Sequence, residues 1–305
     1  MRLVDAQHPE APPLLVQERM EGMLYEVTDH GQVLLILTNH NGATDFKIVQ
    51  TSLEMPSAEH WKELLPHTPG TFISGMTNSN GLLVRSEKVN ALPRLVVSQC
   101  PSVSEGGEAK IEEEYHIDFE EEAYSISLTG FSEFTSSTLR FSYSSPTTPE
   151  SIYDYDCTRR TRCVRKRQEV PSGHDAGDYI CRRIMVPSHD GALVPVTLLA
   201  RRDVCLTDGC APLLLYGYGS YGASMPASFS TSRLSVVDRG VVFAIAHVRG
   251  GADMGYEWYD PNGKTTKKKN TFLDFLACAE YLVSTGVTSG KCTQRTSFES
   301  FVKSF

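Results

Sequence analysis

The spacing of apolar residues changes near residue 170 of the 305-residue chain, and this change limits the folds open to it. Before that point, every strong pattern is the alternation or short apolar run of a β-strand. After it, apolar strands are joined by a helical pattern, TFLDFLACAEYLVSTG, which we predict to begin at a cap on Asn270 or Thr271 and to end at Gly286. The chain therefore predicts an all-β domain followed by an α/β domain, with the boundary near Pro171 to Asp178.

Strand pairs recur through the first part at a loose period. Their leading strands begin near Val33, Leu82 and Leu139, which are 49 and 57 residues apart. A four-stranded propeller blade takes about 40–50 residues, so the period indicates about three blades. A plain antiparallel sandwich has a similar pattern, and the strands alone do not decide between the two folds.

Charge, cysteines and hydropathy limit the class of function. A net charge of −8 argues against a nucleic-acid surface, and the short run KTTKKKN predicts a solvated loop. The eight cysteines have no C-x-x-C pair and no histidine at zinc-ligand spacing, so we predict reduced thiols, no metal and no cofactor. No apolar run approaches the roughly 20 residues of a membrane span and no signal-peptide pattern begins the chain, which predicts a cytoplasmic protein without a membrane partner.

The stretch PLLLYGYGSYG places Gly217, Gly219 and Gly222 at the spacing G-x-G-x-x-G, directly after a predicted strand. A dinucleotide loop needs a helix that begins at once and an acidic residue at the end of the next strand. Here Pro226 delays the helix, and the next strand, GVVFAIAHV, ends without a carboxylate. We therefore predict that this loop binds no dinucleotide.

Several longer stretches occur in a fixed order along the chain. LTNHNGATDFKIV, EEEYHIDFEEEAYS and LRFSYSSPTTPESIYDYD precede YGYGSYG, HVRGGADMGYEW and KKKNTFLDF. From about Met23 to Ser289 they resemble the prolyl oligopeptidase family of serine peptidases, and most closely its oligopeptidase B branch. The resemblance implies the C-terminal blades of a partial β-propeller at residues 1–172, about three of them, followed at 173–305 by the N-terminal part of an incomplete α/β-hydrolase domain that diverges after residue 289.

The resemblance also implies an activity and its residues. Oligopeptidase B-type enzymes are serine endopeptidases that hydrolyse short peptides after basic residues, and in this family the tyrosine at the position of Tyr218 is the side-chain donor of the oxyanion hole. A phenolic O–H held at the end of a buried strand suits that task, although a packed tyrosine with its hydroxyl satisfied elsewhere is the alternative. Tyr221 and Arg249 are the candidate substrate-binding residues, and for Arg249 a structural ion pair is the alternative.

The nucleophile of the family is missing from this sequence. It lies in a strained G-x-S-x-G turn soon after the helix that ends at Gly286, and the turn requires small neighbours. The chain has no such motif, and Ser297 and Ser300, near the expected position, are flanked by large side chains. We therefore expect an inactive fragment or truncated relative of a peptidase, and the alternative function is a non-catalytic peptide- or protein-interaction module.

Two histidines lie near strand ends, where a catalytic residue could be placed. The catalytic histidine of the family comes last in the chain, so we predict that His247, at the end of GVVFAIAHV, is a hydrogen-bonded structural residue. His189 lies beside Asp190 in the predicted hairpin turn of RRIMVPSHDGALVPVTLLARR and is expected to belong to that turn.

We predict that the purified 305-residue chain releases no fluorophore from a short peptide ending in arginine, because an oxyanion donor without a nucleophile has no covalent step to assist. A full-length peptidase of the family is the positive control. Turnover that an active-site serine reagent abolishes would contradict the prediction.

Overall fold

A computed structural model of the chain describes residues 1–101, 103 and 107–289. Within them the strands form three four-stranded antiparallel sheets and one four-stranded mixed sheet. A two-stranded sheet, made of β1 (Arg2–Leu3) and β2 (Leu14–Leu15), precedes the others. Short 3₁₀ turns lie at His40–Gly42, Ala58–His60, Ala176–Asp178, Tyr256–Trp258 and Thr265–Lys267.

The three antiparallel sheets are meanders in which consecutive strands pair. The first contains β3 (Tyr25–His30), β4 (Val33–Thr38), β5 (Lys47–Ser52) and β6 (Lys62–Leu65). The second contains β7 (Thr71–Ser79), β8 (Gly81–Val89), β9 (Leu92–Cys100) and β10 (Glu113–Ile117). The third contains β11 (Ser125–Phe131), β12 (Thr138–Ser144), β13 (Ser151–Asp156) and β14 (Thr161–Arg167).

The first strands of these sheets lie next to one another: β7 contacts both β3 and β11. Apolar clusters fill the spaces between the first and second sheets and between the second and third. This is the arrangement of neighbouring propeller blades rather than of a sandwich, and the three leading strands of the sequence pattern are β4, β8 and β12. The outermost strand β14, TRCVRKR, is exposed along its whole length, which explains why it carries no apolar alternation.

The remaining strands and both helices form one α/β unit. They are β15 (Tyr179–Pro187), β16 (Leu193–Arg201), β17 (Leu213–Tyr216), α1 (Thr231–Val237), β18 (Val242–Ala246) and α2 (Lys269–Ser284). The strand order is β15-β16-β18-β17, with β17 and β18 parallel and the other pairs antiparallel. One apolar cluster packs α2 on one face of the sheet and another packs α1, so the continuous apolar runs of the sequence are buried on both sides.

The start of α2 differs from its prediction. The helix begins at Lys269 with Lys268 as N-cap, and no side chain caps it, so the prediction of a cap on Asn270 or Thr271 was wrong. Thr271 is fully buried inside the first turn, where its hydroxyl donates to a carbonyl of another loop instead. The predicted end is confirmed, because Gly286 adopts φ +77 directly after the last turn.

An ionic network crosses three strands of the second blade. Arg85 on β8 is 6 % exposed and donates through Nε to Glu87 at 2.5 Å, through Nη1 to Ser98 at 2.9 Å, and to both oxygens of Glu114 on β10. Glu87, 2 % exposed, also accepts from Arg94 Nε at 2.7 Å. Every charge in this group has a partner of opposite sign, as burial in a sheet requires.

Arg85→Ala is expected to lower the free energy of unfolding by about 3 kcal/mol, because it leaves Glu87 buried and only partly compensated. The matched control is Arg140→Ala, which removes an exposed pair with Asp154 and is expected to cost much less, because water screens exposed charges. Urea denaturation of the two variants tests this. Equal losses would show that the network of the second blade contributes no more than a surface pair.

Candidate functional site

The glycine-rich loop at residues 217–222 follows β17 directly and packs against the loop that follows β18. Gly219, Gly222 and Gly250 all have positive φ, at +66, +71 and +102. A Cβ on Gly250 would lie 1.9 Å from the carbonyl oxygen of Gly219, and one on Gly219 would lie 2.4 Å from Thr271 Cγ2. The glycines therefore allow two strand-end loops to touch backbone to backbone, which is a different use from cradling a phosphate.

Hydrogen bonds fix the two loops to each other and to α2. Gly222 N–H donates to the Gly250 carbonyl at 2.9 Å, and Thr271 Oγ1 donates to the Arg249 carbonyl at 2.6 Å. Lys268 Nζ donates to the Gly219 carbonyl and to Ser220 Oγ, the latter at 2.9 Å. The backbone on the C-terminal side of Tyr218 is thus held at several points.

The contact of Lys268 with the glycine loop could not be predicted from the sequence. KTTKKKN was predicted to be a solvated loop, which holds for exposed Lys267 and Lys269, but Lys268 is half-buried and points to the glycine loop. Burial lowers the pKa of its ammonium group. Three consecutive lysines carry no signal that separates the inward one from its neighbours, because they lie where α2 begins, and the direction of each side chain depends on the residue at which the helix starts.

Arg249 is buried, at 4 % exposure, between two carboxylates. Its Nε donates to Asp274 Oδ2 at 2.8 Å and its Nη2 to Asp274 Oδ1 at 2.5 Å, while Nη1 and Nη2 contact Asp190 at 2.5 and 3.0 Å. Although burial alone would lower the pKa of Arg249, these hydrogen bonds raise it, and the same contacts lower the pKa of Asp190 to about 2. Arg249 therefore forms ion pairs with both carboxylates, and its candidate role in substrate binding stays a prediction.

The two histidines have the structural surroundings that were expected of them. His247 is 6 % exposed, with Nε2 at 2.9 Å from Thr197 Oγ1 and Nδ1 at 3.2 Å from Asp253 Oδ1. His189 lies in the β15–β16 turn, where its Nδ1 is 3.2 Å from Ser188 Oγ. Both imidazoles are engaged within the turns and strand ends where they lie.

The two tyrosines of the glycine loop are placed differently. Tyr218 is half-buried, two residues beyond the last residue of β17. Tyr221 is 82 % exposed and adopts φ 57, a left-handed conformation that is costly for an aromatic residue. Ser297 and Ser300, the two serines near the expected position of the G-x-S-x-G turn, lie outside the described residues.

The blades cover the edge of the mixed sheet at which these loops lie. Asp45 of the first blade accepts a hydrogen bond from Tyr256 N–H at 3.1 Å. The ring of Tyr256 packs against the rings of Phe46 and Phe72, with ring centres 5.9 and 6.4 Å apart. Ser144 Oγ of the third blade accepts from Phe229 N–H at 2.8 Å. Because the carboxyl ends of parallel strands are where ligands bind in α/β sheets, the blades border the position of a candidate site.

Within the described residues, no three His, Cys, Asp or Glu side chains gather in a way that would hold a metal ion. The seven cysteines of this part of the chain are free thiols. None of the helices in the same residues has the length and apolar character needed to span a membrane.

Comparisons with known proteins agree with this geometry. Residues 1–168 match the family model of the prolyl oligopeptidase N-terminal β-propeller domain, and residues 227–292 match that of the prolyl oligopeptidase family. The chain is 39 % identical over 287 residues to dipeptidyl aminopeptidase BI of Pseudoxanthomonas mexicana, covering 94 % of this chain and 38 % of that protein. It is 29 % identical over 289 residues to protease 2 of Moraxella lacunata, covering 95 % of this chain and 40 % of that one.

Solved structures of oligopeptidase B are also similar to this chain. Oligopeptidase B from Trypanosoma brucei with covalently bound antipain, in its closed form, matches with a TM-score of 0.85 and 33 % identity over 92 % of this chain and 39 % of that one. Oligopeptidase B from Leishmania major matches with a TM-score of 0.83 and 32 % identity, over the same shares. The chain thus spans about two fifths of the length of the proteins it matches.

Gly250→Ala is expected to lower the free energy of unfolding by about 3 kcal/mol, since the new methyl group meets the Gly219 carbonyl oxygen and must separate the two loops. Gly240→Ala is the matched control: it has φ +84 but open space around its Cβ, so only the left-handed strain of about 1 kcal/mol is expected. Urea denaturation measures both. A loss for Gly250→Ala no larger than that of the control would contradict the close packing described for the loops.

Proposed function

The chain belongs to the prolyl oligopeptidase family, and from this membership we propose that it forms part of an oligopeptidase B-type serine endopeptidase, which hydrolyses short peptides after basic residues. The observation that carries the proposal is the fixed loop at the carboxyl end of β17, with Tyr218 directly before the immobilised Gly219. The chain spans about two fifths of the length of its relatives. The activity is therefore proposed for a whole enzyme, of which this chain forms one part.

We assign Tyr218 the role of side-chain donor in the oxyanion hole. Such a donor accelerates acyl transfer when it is held in place before the carbonyl oxygen becomes negatively charged. The Gly219 carbonyl is held by Lys268, and Gly222 is held by Gly250, so the backbone that carries Tyr218 has little freedom to move. This rigidity supports a donor that needs no rearrangement during the reaction.

The proposal also covers the domain organisation. We assign residues 1–172 to the C-terminal blades of the propeller and residues 173–305 to the first part of an α/β-hydrolase domain. The change from antiparallel blades to a mixed sheet between Arg167 and Tyr179 supports this boundary. Contacts between the blades and the loops after β17 and β18 support a propeller that limits access to short peptides.

Tyr221 and Arg249 contribute to peptide binding in different ways under this proposal. Tyr221 offers an exposed ring three residues from Tyr218, and its left-handed backbone is the kind of strain that accompanies functional loops, so we assign it a direct contact with the peptide. Arg249 is enclosed by Asp190 and Asp274, and we assign it to positioning the loop after β18 rather than to touching the peptide.

No nucleophile, general base or triad carboxylate is assigned within the described residues. His247 forms hydrogen bonds within a buried network, and its position along the chain differs from that of the catalytic histidine of the family. The chemical step of the proposed reaction therefore depends on residues that the matching region does not contain.

The proposal is tested in a chimera in which this chain replaces the matching region of the dipeptidyl aminopeptidase BI relative. Tyr218→Phe is expected to lower kcat by about 100- to 1000-fold with little change in KM, the usual cost of one oxyanion donor. Tyr221→Ala is expected to raise KM more than it lowers kcat, because it removes the ring that is proposed to contact the peptide. Steady-state kinetics with an arginine-ended peptide measures both variants.

Two outcomes of these kinetics would contradict the assignment. An unchanged kcat for Tyr218→Phe would remove this residue from the oxyanion hole. A chimera that folds but cleaves no peptide, while the relative itself does, would refute the proposed function of the chain.

A further inference from the structure

A cavity of about 180 Å³ lies between the second and third blades and the mixed sheet. The blades contribute Lys88 of β8 and Tyr124, and the mixed sheet and its loops contribute Arg183 of β15, Ser224, His247 and Asp253. The volume equals roughly six water molecules at about 30 Å³ each. It is smaller than the roughly 300 Å³ at which pockets begin to hold whole small molecules, so it suits one polar group of a larger ligand.

Arg183 lines this cavity, and one nitrogen of its guanidinium has no partner. Its Nη2 atom is buried and has no hydrogen-bond partner, and its side chain forms no ion pair with any described residue. Burial lowers the pKa of this group. Its neighbour Arg182 is the opposite case, exposed and paired through Nη1 with Glu122 at 2.6 Å. Arg183 is half-buried, and a partly buried guanidinium without an anionic partner is costly unless an acceptor is supplied.

Lys88 brings a second cation from the propeller side. Its Nζ donates to Ser224 Oγ at 2.5 Å and lies 5.9 Å from the centre of the Phe72 ring, and it forms no ion pair among the described residues. Burial lowers its pKa, and the charge of Asp253 offsets part of that effect. An ammonium group has three N–H donors, so Ser224 leaves further donors for a ligand.

Asp253 is the one carboxylate among the residues that line the cavity, and it is engaged by His247 at 3.2 Å. His247 in turn contacts Thr197 through its other nitrogen. With the histidine neutral, the lining carries two positive charges and one negative charge. This excess of positive charge distinguishes the cavity from the networks of Arg85 and Arg249, in which each cation faces carboxylates.

We propose that this cavity binds a carboxylate group of a short peptide, with Arg183 and Lys88 as its two donors from the two sides. The inference rests on the proposed function, which supplies peptides as ligands. A carboxylate accepts from both cations at once, pairs with the guanidinium of Arg183, and fits a space of this size. The carboxylate belongs either to the C-terminus of the peptide or to an acidic side chain.

The test is calorimetric titration of the 305-residue chain at low ionic strength with three acetylated dipeptides. They are dialanine with a free carboxylate, dialanine amide, and aspartyl-alanine amide. We expect at least one carboxylate peptide to bind about tenfold or more tightly than dialanine amide, and the comparison shows whether the terminal or the side-chain carboxylate is preferred. Equal affinities of all three peptides would overturn the proposal without any variant being needed.

Three variants locate the binding. Arg183→Gln and Lys88→Met are each expected to remove the preference for the carboxylate, whereas Arg182→Gln, on the same strand, is expected to retain it. Circular dichroism checks that each variant is folded. Loss of the preference in Arg182→Gln as well, or its retention in folded Arg183→Gln, would overturn the assignment to this cavity.

The outcome is separable from that of the proposed function. Peptide hydrolysis is measured in the chimera and carboxylate binding in the chain itself. A chimera without peptidase activity, together with a retained carboxylate preference, would refute the peptidase proposal and leave the cavity as a carboxylate site.

Discussion

The guanidinium of Arg249 is the interaction on which the geometry of the candidate site depends. It joins the loop after β18 to the β15–β16 turn through Asp190 and to α2 through Asp274, which has no exposed surface. A side chain with five donors in a fixed plane can hold two carboxylates at once, and this suits a point where three elements meet. With the loop after β18 fixed in this way, Gly250 has a defined position against which the glycine loop packs.

Much of the architecture could be predicted because the relevant signals are local. The alternation in β12 and the continuous apolar run of β18 state which faces are buried, and Gly286 marks a helix end through its own backbone conformation. The site was harder to predict. In the sequence, Lys268 cannot be told from its neighbours and Thr271 resembles a helix cap. Both side chains instead donate hydrogen bonds to carbonyl groups of loops about 20 to 50 residues away in the sequence. Such contacts depend on tertiary structure and produce no periodic pattern in the sequence.

The glycine spacing also shows how little of the site can be predicted from the sequence. G-x-G-x-x-G is compatible with a phosphate loop and with two loops in backbone contact, since both need residues without a Cβ. The flanking residues argue against a nucleotide, because Pro226 prevents an immediate helix. They did not reveal that Gly219 makes room for Thr271 and for Gly250, whose positions are set by other elements of the fold.

The strand order within the blades has a consequence for how the molecule assembles. Each blade pairs strands that are adjacent in the sequence, so its strand contacts are local in the chain, the kind of contact that forms early. The contact between Asp45 and Tyr256 joins residues 211 positions apart and must wait for nearly the whole described chain. Because the blades precede the mixed sheet in the sequence, we expect them to fold first, so that the edge of the mixed sheet is built against a surface that already exists. On this expectation, the last loops take their final shape against the blades.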